Sequence, residues 1–259
     1  MIKIILLIFS CYKYINRIKK LENIEYFLEL DKYPQIDYYI VYGNPNLETK
    51  YKIEDKNLIV QSPDSYLGFP KKVITTIDSI QQIYSNQEYI LLKTDDDFLI
   101  NVNFIVNNMN LLTSEHYLGS IGSETKETYN NKWNGLTNKT PYLYGYMSGE
   151  NSYLLSKYAC ESISNYIKTD NHNLIENSLF EDKLVGDIMY LSNIIAKNTK
   201  NWWRNIIPTQ CQKYQLLFTQ PAKTNKWLNT ILLPNQQLGM MNLFGNNDNE
   251  VFEYWDLDL

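Results

Sequence analysis

Short apolar runs and amphipathic segments take turns along the first part of the chain. Residues 2–10 (IKIILLIFS) are apolar almost throughout and predict a strand that is buried on both faces. Residues 12–30 place apolar side chains at helical spacing and predict a helix. Residues 36–42 predict a second strand closed by a Gly-Asn-Pro-Asn turn, and residues 58–61 predict a short third strand.

The predicted elements continue with an amphipathic helix at residues 71–86 and a buried strand at residues 89–92. The resulting order, β-α-β-β-α-β, favours an α/β fold with a mostly parallel central sheet flanked by helices. Ligands of such sheets bind outside the carboxyl ends of the strands. Asp95, Asp96 and Asp97 stand at one of these predicted ends.

The second half of the chain is less regular. A strand is predicted around residues 117–122, and the last part of residues 142–156 is expected to begin a helix. Residues 179–198 predict a turn followed by a helix, and the chain from residue 199 onward is polar and aromatic with few helical signals. Because neither an internal repeat nor a linker divides the sequence, we expect one domain over residues 1–259.

Composition and charge narrow the classes of function. The chain is 44% hydrophobic and 20% charged, which is ordinary for a soluble globular protein, and its net charge of −5 argues against a nucleic-acid partner. Three widely spaced cysteines form no disulfide framework, which fits a reducing compartment, with one disulfide plus a free thiol as the alternative. The first apolar run is shorter than the roughly 20 residues that a membrane span needs. We therefore expect no transmembrane anchor and a cytoplasmic location, with the Golgi or secretory pathway as the alternative.

The three consecutive aspartates repel one another unless they are exposed or neutralised. A divalent cation removes this difficulty, because Mg²⁺ and Mn²⁺ prefer carboxylate and phosphate oxygens. In an extended segment Asp95 and Asp97 point to the same side and Asp96 to the other. The alternative, a solvated acidic turn, is opposed by the apolar runs that flank the triplet on both sides.

The segment LLKTDDDFLIN resembles the signature of the beta-1,3-galactosyltransferase-like glycosyltransferases (family 31), which include the Fringe and beta-1,3-N-acetylglucosaminyltransferase groups. Four further blocks over residues 58–190 resemble blocks of this family, in the family's order. They are Asp64-Ser65-Tyr66 with Lys72, then Lys132-Trp133, then Tyr146 to Gly149 with Tyr153 to Ser156, and finally Phe180 to Gly186 with lysine in place of a valine.

The resemblance implies a GT-A-type fold with a nucleotide-binding half at residues 1–100 and an acceptor half at residues 101–259. It implies a metal-dependent, inverting hexosyltransferase with a Mn²⁺ or Mg²⁺ cofactor. The donor would be a UDP-sugar carrying a hexose or N-acetylhexosamine, and the acceptor a hydroxyl of a glycan or glycoprotein, joined in beta-1,3 linkage. Such chemistry needs a cation to neutralise the leaving diphosphate and a carboxylate to take the proton of the acceptor hydroxyl.

The matching positions supply candidate residues for each role. Asp182 would be the catalytic base, with helix capping as the alternative role, and Glu181 is the other candidate for the base or a residue of the sugar pocket. Asp97, with Asp95, would bind the metal, while Asp95 and Asp96 would contribute to the nucleotide site.

Weaker matches concern the donor and sugar sites. Lys72 would pair with phosphate and Asp64 would bond the base or ribose, whereas a surface lysine on a helix is the plain alternative for Lys72. Ser10 and Arg17 fall roughly where the family has its first donor-site residues. Trp133, Tyr146 and Gly149 would line the sugar and acceptor pocket, with core packing as the alternative for each.

One departure from the family's pattern opens a second reading. Many relatives have a histidine beyond the Glu-Asp block that completes the metal shell, whereas the two histidines here, His116 and His172, both precede Asp182. Water could replace that ligand, binding could be weaker, or metal dependence could be lost. The alternative function is a catalytically inactive carbohydrate-binding or scaffold protein on the same fold.

Overall fold

The computed structural model describes residues 2–23, 26–96, 100, 102–119, 121–123, 146–147, 152–170 and 173–198. The strands are β1 (Lys3–Phe9), β2 (Ile36–Gly43), β3 (Tyr51–Glu54), β4 (Asn57–Val60), β5 (Tyr89–Asp95), β6 (Tyr117–Gly119), β7 (Ile121–Ser123), β8 (Tyr146–Met147), β9 (Tyr153–Ser156) and β10 (Lys197–Asn198). A 3₁₀ turn (Tyr12–Tyr14) precedes the helices α1 (Ile15–Asn23), α2 (Tyr26–Asp31), α3 (Phe69–Ile83), α4 (Val102–Asn107), α5 (Met109–Leu112), α6 (Lys157–Thr169), α7 (Leu174–Asn177) and α8 (Glu181–Leu191).

Eight of the described strands form one mixed sheet in the order β10-β6-β9-β5-β1-β2-β4-β3. Strand β1 runs parallel to both β2 and β5, and β2 runs parallel to β4. Strand β9 is antiparallel to its neighbours β5 and β6, while β7 and β8 pair separately. The predicted α/β class, a largely parallel central sheet flanked by helices, is confirmed.

Strand β1 lies in the interior of the sheet, and its side chains are buried on both faces. Ile4, Leu6 and Ile8 belong to one apolar cluster, which includes side chains of α1, α2 and α4. Leu7 and Phe9 belong to the other cluster, which includes side chains of α3, α6 and α8. A strand that is covered by helices on both sides reads as a continuous apolar run, as residues 2–10 do.

Strands β9 and β3 are among the elements that differ from the sequence-based prediction. Residues 153–156 form β9, although the end of residues 142–156 was expected to begin a helix, and the helix begins at Lys157. A run of four residues, three of them apolar, cannot distinguish the two structures, and pairing with β5 and β6 decides in favour of a strand. Strand β3 was not expected, because its two-residue turn carries Asp55 at a φ of 54° without the usual glycine at the next position.

The helices agree with the prediction more closely. The helical pattern of residues 12–30 corresponds to the 3₁₀ turn followed by α1 and α2, and the prediction for residues 71–86 corresponds to α3. No helix among the described residues is long and apolar enough to cross a membrane. Residues 199–259, in the expected acceptor half, lie outside the described part of the chain.

Gly43 ends β2 where the backbone passes closest to the segment that follows β4. A Cβ atom on Gly43 would lie 2.7 Å from the carbonyl oxygen of Ser62 and 2.9 Å from that of Pro63. The amide of Gly43 also donates to the Oδ1 atom of Asp64 at 2.8 Å. Glycine therefore allows the end of β2 to approach the loop that carries Asp64.

We predict that Gly43→Ala lowers the free energy of unfolding by about 1–3 kcal/mol, because the added methyl group must displace the backbone of residues 62–64. Urea unfolding followed by circular dichroism would measure the change. Asn46→Ala, at an exposed position of the same turn, is the control and should stay within about 0.5 kcal/mol of the wild type. Equal stability of Gly43→Ala and the control would contradict the close approach.

Candidate functional site

The candidate site lies at the edge of the sheet where the parallel strands β1, β2, β4 and β5 all end. Parallel strands bring their carboxyl ends to the same edge, so residues far apart in sequence meet there. Ser10 follows β1 directly, and Asp96 follows β5, with its amide donating to the carbonyl of Phe9 at 3.0 Å. Asp64 lies in the loop after β4 and is hydrogen-bonded to the end of β2.

Asp64 and Lys72 form a clamp between three of these segments. The Lys72 ammonium donates to Asp64 Oδ1 and to the carbonyl of Ser10, both at 2.8 Å. Asp64 Oδ2 accepts from the backbone amide of Tyr12 at 2.8 Å. Lys72 is buried, which contradicts the alternative of a surface lysine on a helix, while its pairing with phosphate stays a prediction. The clamp joins the ends of β1 and β2 to the start of α3.

Asp96 points to the opposite face of the sheet from Lys93, as its position in the strand requires. Its Oδ2 atom accepts from the Ser10 hydroxyl at 2.6 Å, and its Oδ1 atom accepts from the Arg17 guanidinium at 3.1 Å. Burial raises the pKa of Asp96, although Arg17 and Ser10 act in the opposite direction. Ser10 and Arg17, which the family resemblance placed near the donor, therefore both contact Asp96.

Lys93 links the end of β5 to the start of α8. Its side chain is 0% exposed, and its ammonium lies 2.8 Å from Asp95 Oδ1 and 2.9 Å from Glu181 Oε1. The other oxygen of Glu181 accepts from the hydroxyl of Tyr153 at 2.9 Å. These ion pairs, called the Lys93 bridge below, connect the aspartate triplet with the Glu-Asp pair.

Burial and charge act on the bridge in opposite ways. Burial by itself lowers the pKa of the Lys93 ammonium, but Asp95 and Glu181 outweigh it and hold the pKa above its usual value. Burial raises the pKa of Glu181 to about 7; Lys93 opposes this shift, while repulsion from Asp182 and Asp95 adds to it. The lysine therefore stays charged at neutral pH, and Glu181 titrates close to neutrality.

Asp182 is the second residue of α8 and is partly exposed, unlike its buried neighbour Glu181. Its Oδ1 atom accepts from the amide of Lys183 at 2.8 Å, in the first turn of the helix. A carboxylate at this position is favoured by the helix dipole. Phe180 occupies the N-cap position, so Glu181 is not the capping residue of this helix.

The remaining predicted site residues fall into two groups. Tyr146 lies buried in β8, which packs against α8. Asp97, Trp133 and Gly149 lie outside the described residues. Their expected roles in binding the metal, the sugar and the acceptor therefore stay predictions from the sequence.

Sequence reasoning missed three contributors to this edge. Lys93 was quoted only as part of a motif, although a lysine at the end of an apolar strand and two residues before Asp95 signals a buried ion pair. Tyr153 was expected to lead into a helix and instead supports Glu181 from β9. Tyr12 is 49% exposed, and its ring stacks on that of Tyr42 with centroids 4.6 Å apart.

The described residues offer oxygen donors for a hard cation at the end of β5. The side chain of Asp95 keeps 21% exposure beside the bridge, where one ammonium, that of Lys93, is bonded to two carboxylates. This donor chemistry fits Mg²⁺ or Mn²⁺, which usually take one or two protein carboxylates. No group of three or more His, Cys, Asp or Glu side chains suited to a metal occurs within the described part of the chain.

No family model matches the chain, and no curated protein matches it. Among solved structures, mouse xyloside xylosyltransferase 1 in its apo form aligns with a TM-score of 0.46 at 9% identity, over 95% of this chain and 98% of that protein. The galactosyltransferase LgtC in complex with donor and acceptor sugar analogues aligns with a TM-score of 0.42 at 12% identity, over 93% and 87%. The glycosyltransferase GlyE of Streptococcus pneumoniae TIGR4 aligns with a TM-score of 0.43 at 11% identity, over 98% and 60%. Similarities with TM-scores below 0.5 do not define a function.

The raised pKa of Glu181 predicts a pH-dependent difference in stability. Because its pKa is higher in the folded than in the unfolded chain, the folded state binds more protons between about pH 4.5 and 7, and the contribution of Glu181 to stability is lost as the pH rises through this window. The unfolding free energy of Glu181→Gln minus that of the wild type should therefore increase by on the order of 1–3 kcal/mol as the pH rises from 4.5 to 8.

Urea unfolding at several pH values would measure this difference. Glu176→Gln, at an exposed position of α7, is the matched control and should show no such trend. A difference between Glu181→Gln and the wild type that stays constant with pH would contradict the assigned environment of Glu181.

Proposed function

We propose that this protein is an inverting glycosyltransferase that moves a hexose or N-acetylhexosamine from a UDP-sugar to a hydroxyl of a glycan or glycoconjugate, in beta-1,3 linkage. The observation that carries the proposal is the meeting of two sequence-distant acidic segments at one sheet edge. Lys93 contacts both Asp95, which ends β5, and Glu181, which begins α8 next to Asp182. The linkage and the nature of the donor follow from the family resemblance alone.

The donor would bind at the carboxyl ends of β1, β2 and β5. Asp95 and Asp97 would hold a Mn²⁺ or Mg²⁺ ion, which supplies charge neutralisation for the departing diphosphate when it is bound. The exposed face of the Tyr12 ring suits stacking of a nucleobase. The Asp64–Lys72 clamp would hold the backbone around Ser10 and Tyr12 in place for this contact.

Asp182 would act as the general base. The acceptor oxygen attacks the anomeric carbon, the bond from that carbon to the diphosphate oxygen breaks, and UDP leaves with the electron pair. Asp182 takes the proton of the acceptor hydroxyl. Glu181 suits this role less well, because one of its oxygens is 2.9 Å from the Lys93 ammonium and the other accepts from Tyr153.

The proposed donor site predicts metal-dependent binding of UDP. Thermal unfolding in the presence of UDP should shift upward only when Mn²⁺ is added, and Asp97→Ala should abolish that shift. A ligand that binds only the folded state at a hundredfold excess over its dissociation constant stabilises it by about 2.7 kcal/mol. Asp31→Ala, at an exposed carboxylate in α2, serves as the control and should keep the shift.

The absence of a shift with UDP in the wild type, and equally with GDP and CDP, would overturn the proposal of a nucleotide-sugar donor. The catalytically inactive carbohydrate-binding protein would then become the first hypothesis. A shift with UDP that Asp97→Ala keeps would assign the metal to other residues.

The proposed role of Asp182 as the general base predicts the effect of replacing it. Asp182→Asn should keep the Mn²⁺-dependent shift with UDP and lower transfer by about 10²- to 10⁴-fold, because the amide cannot accept the proton of the acceptor. Release of UDP from a panel of UDP-galactose, UDP-N-acetylglucosamine, UDP-glucose and UDP-glucuronic acid, with mixed glycan acceptors, would measure the rate. Transfer by Asp182→Asn at the wild-type rate would exclude Asp182 as the base.

A further inference from the structure

Lys93 is fully buried in the middle of the sheet, between β1 and β9. It pairs with Leu7 on one side and Tyr153 on the other, and it belongs to the face on which Tyr89 and Leu91 pack in the core. Lysine is almost never fully buried unless it is paired, because its charge loses its hydration. Position 93 therefore holds a side chain whose burial costs free energy, where an apolar side chain would continue the pattern of the strand.

Aromatic rings and carboxylates lie around the ammonium. The rings of Phe9, Phe69 and Tyr153 have their centroids 6.0, 5.3 and 5.9 Å from the nitrogen. The carboxylates of Asp95 and Glu181 lie 2.8 and 2.9 Å from it. In this setting the charge of Lys93 is directed at the ends of two elements, β5 and α8.

Stability alone is a poor explanation for such a bridge. Replacing a buried ion pair by apolar side chains of similar volume is often neutral or stabilising, whereas removing only one partner is costly. Methionine matches lysine closely in length and would fit among the rings around position 93. The bridge is better explained by what it holds in place.

What the bridge holds is the first residue of α8. Lys93 fixes one oxygen of Glu181 and Tyr153 fixes the other, so the Glu181 carboxylate is held at both ends. Asp182 is the next residue, and its place depends on where this anchored turn begins. The same ammonium also fixes Asp95, so a single cation sets the relation between the two segments.

We propose that Lys93 is a positioning residue of the transfer reaction: through Glu181 and Asp95 it sets the place of Asp182 relative to the end of β5. This role rests on the proposed function, because it assigns Asp182 to the acceptor and Asp95 to the donor. Without the ammonium, Asp95 and Glu181 lose the partner that they share, and the first turn of α8 is no longer fixed against the strand end. Transfer then fails although the donor still binds.

The test compares the loss of activity with the loss of stability in four variants. Lys93→Met removes the cation, and Lys93→Met/Glu181→Leu removes the Lys93–Glu181 pair while leaving Asp95, whose side chain is 21% exposed to solvent. Lys93→Arg keeps a cation that reaches both carboxylates. Lys157→Met is the matched control, because Lys157 is also a shielded lysine, hydrogen-bonded to Ser85 and paired with Glu88 near the amino end of β5.

We expect Lys93→Met to lower both the urea midpoint and kcat. The double variant should recover the urea midpoint, because its two changes are coupled, while kcat stays reduced by about 100-fold, the order of loss that a displacement of 1 Å causes, with KM for the donor unchanged. Lys93→Arg should restore part of kcat. The control should lose stability but keep the transfer rate of its folded fraction.

The outcomes separate this role from the proposed function. A double variant with recovered stability and wild-type kcat, or a Lys93→Met variant whose activity falls only with its folded fraction, would overturn the positioning role alone. A wild type with neither a UDP-dependent thermal shift nor UDP release would overturn the proposed function and this role with it. If Lys93→Met does not fold, Tyr153→Phe removes only the hydrogen bond to Glu181 and should lower kcat without changing KM.

Discussion

The candidate site depends on how the chain neutralises the acidic side chains at the end of β5. Consecutive residues of a strand point to opposite faces, so Asp95 and Asp96 cannot share one partner. The chain supplies a cation on each face: Lys93 binds Asp95 on one side, and Arg17 binds Asp96 on the other. Arg17 belongs to α1, so its ion pair joins the end of β5 to that helix. Lys93 belongs to β5 itself and joins the strand to α8 through Glu181.

This arrangement connects the strand end to several other elements through side-chain contacts. On one face, Asp96 binds Ser10 and Arg17 and so connects the end of β5 to the end of β1 and to α1. On the other, the Lys93 bridge draws in the first turn of α8. The Asp64–Lys72 clamp adds the end of β2 and the start of α3. A site built on such fixed elements needs little reorganisation during a reaction, which is a general requirement of electrostatic catalysis.

The apolar pattern predicted most of the first hundred residues because most of the elements there are long enough to show their period. Strand β1, helix α3 and the position of the aspartates at a strand end all follow from that pattern. Strands β3 and β9 did not follow, since each has four residues and depends on pairing with a distant or unusual neighbour. Short strands are decided by tertiary contacts that the local sequence does not contain.

The candidate residues show the same division. Asp95 and Asp96 were predicted from their place at a strand end and from the family resemblance. Glu181 and Asp182 were predicted from the resemblance alone. The sequence could not reveal that a lysine in β5 reaches Glu181, because that contact depends on where α8 packs against the sheet. Ser10 and Arg17 looked like weak matches, yet both contact Asp96. Contacts of this kind can be predicted only when the arrangement of strands and helices is known.

Two adjacent carboxylates at the start of α8 have opposite surroundings, and this separates their chemistry. Successive residues of a helix are rotated by roughly 100°, so Glu181 points into the sheet while Asp182 remains partly exposed. Glu181 is buried, and both of its oxygens are bonded, which suits an anchor. Asp182 can be reached from solvent, which suits a group that accepts a proton from a substrate. Such different environments of two neighbouring titratable groups support different roles for them, as proposed for Glu181 and Asp182.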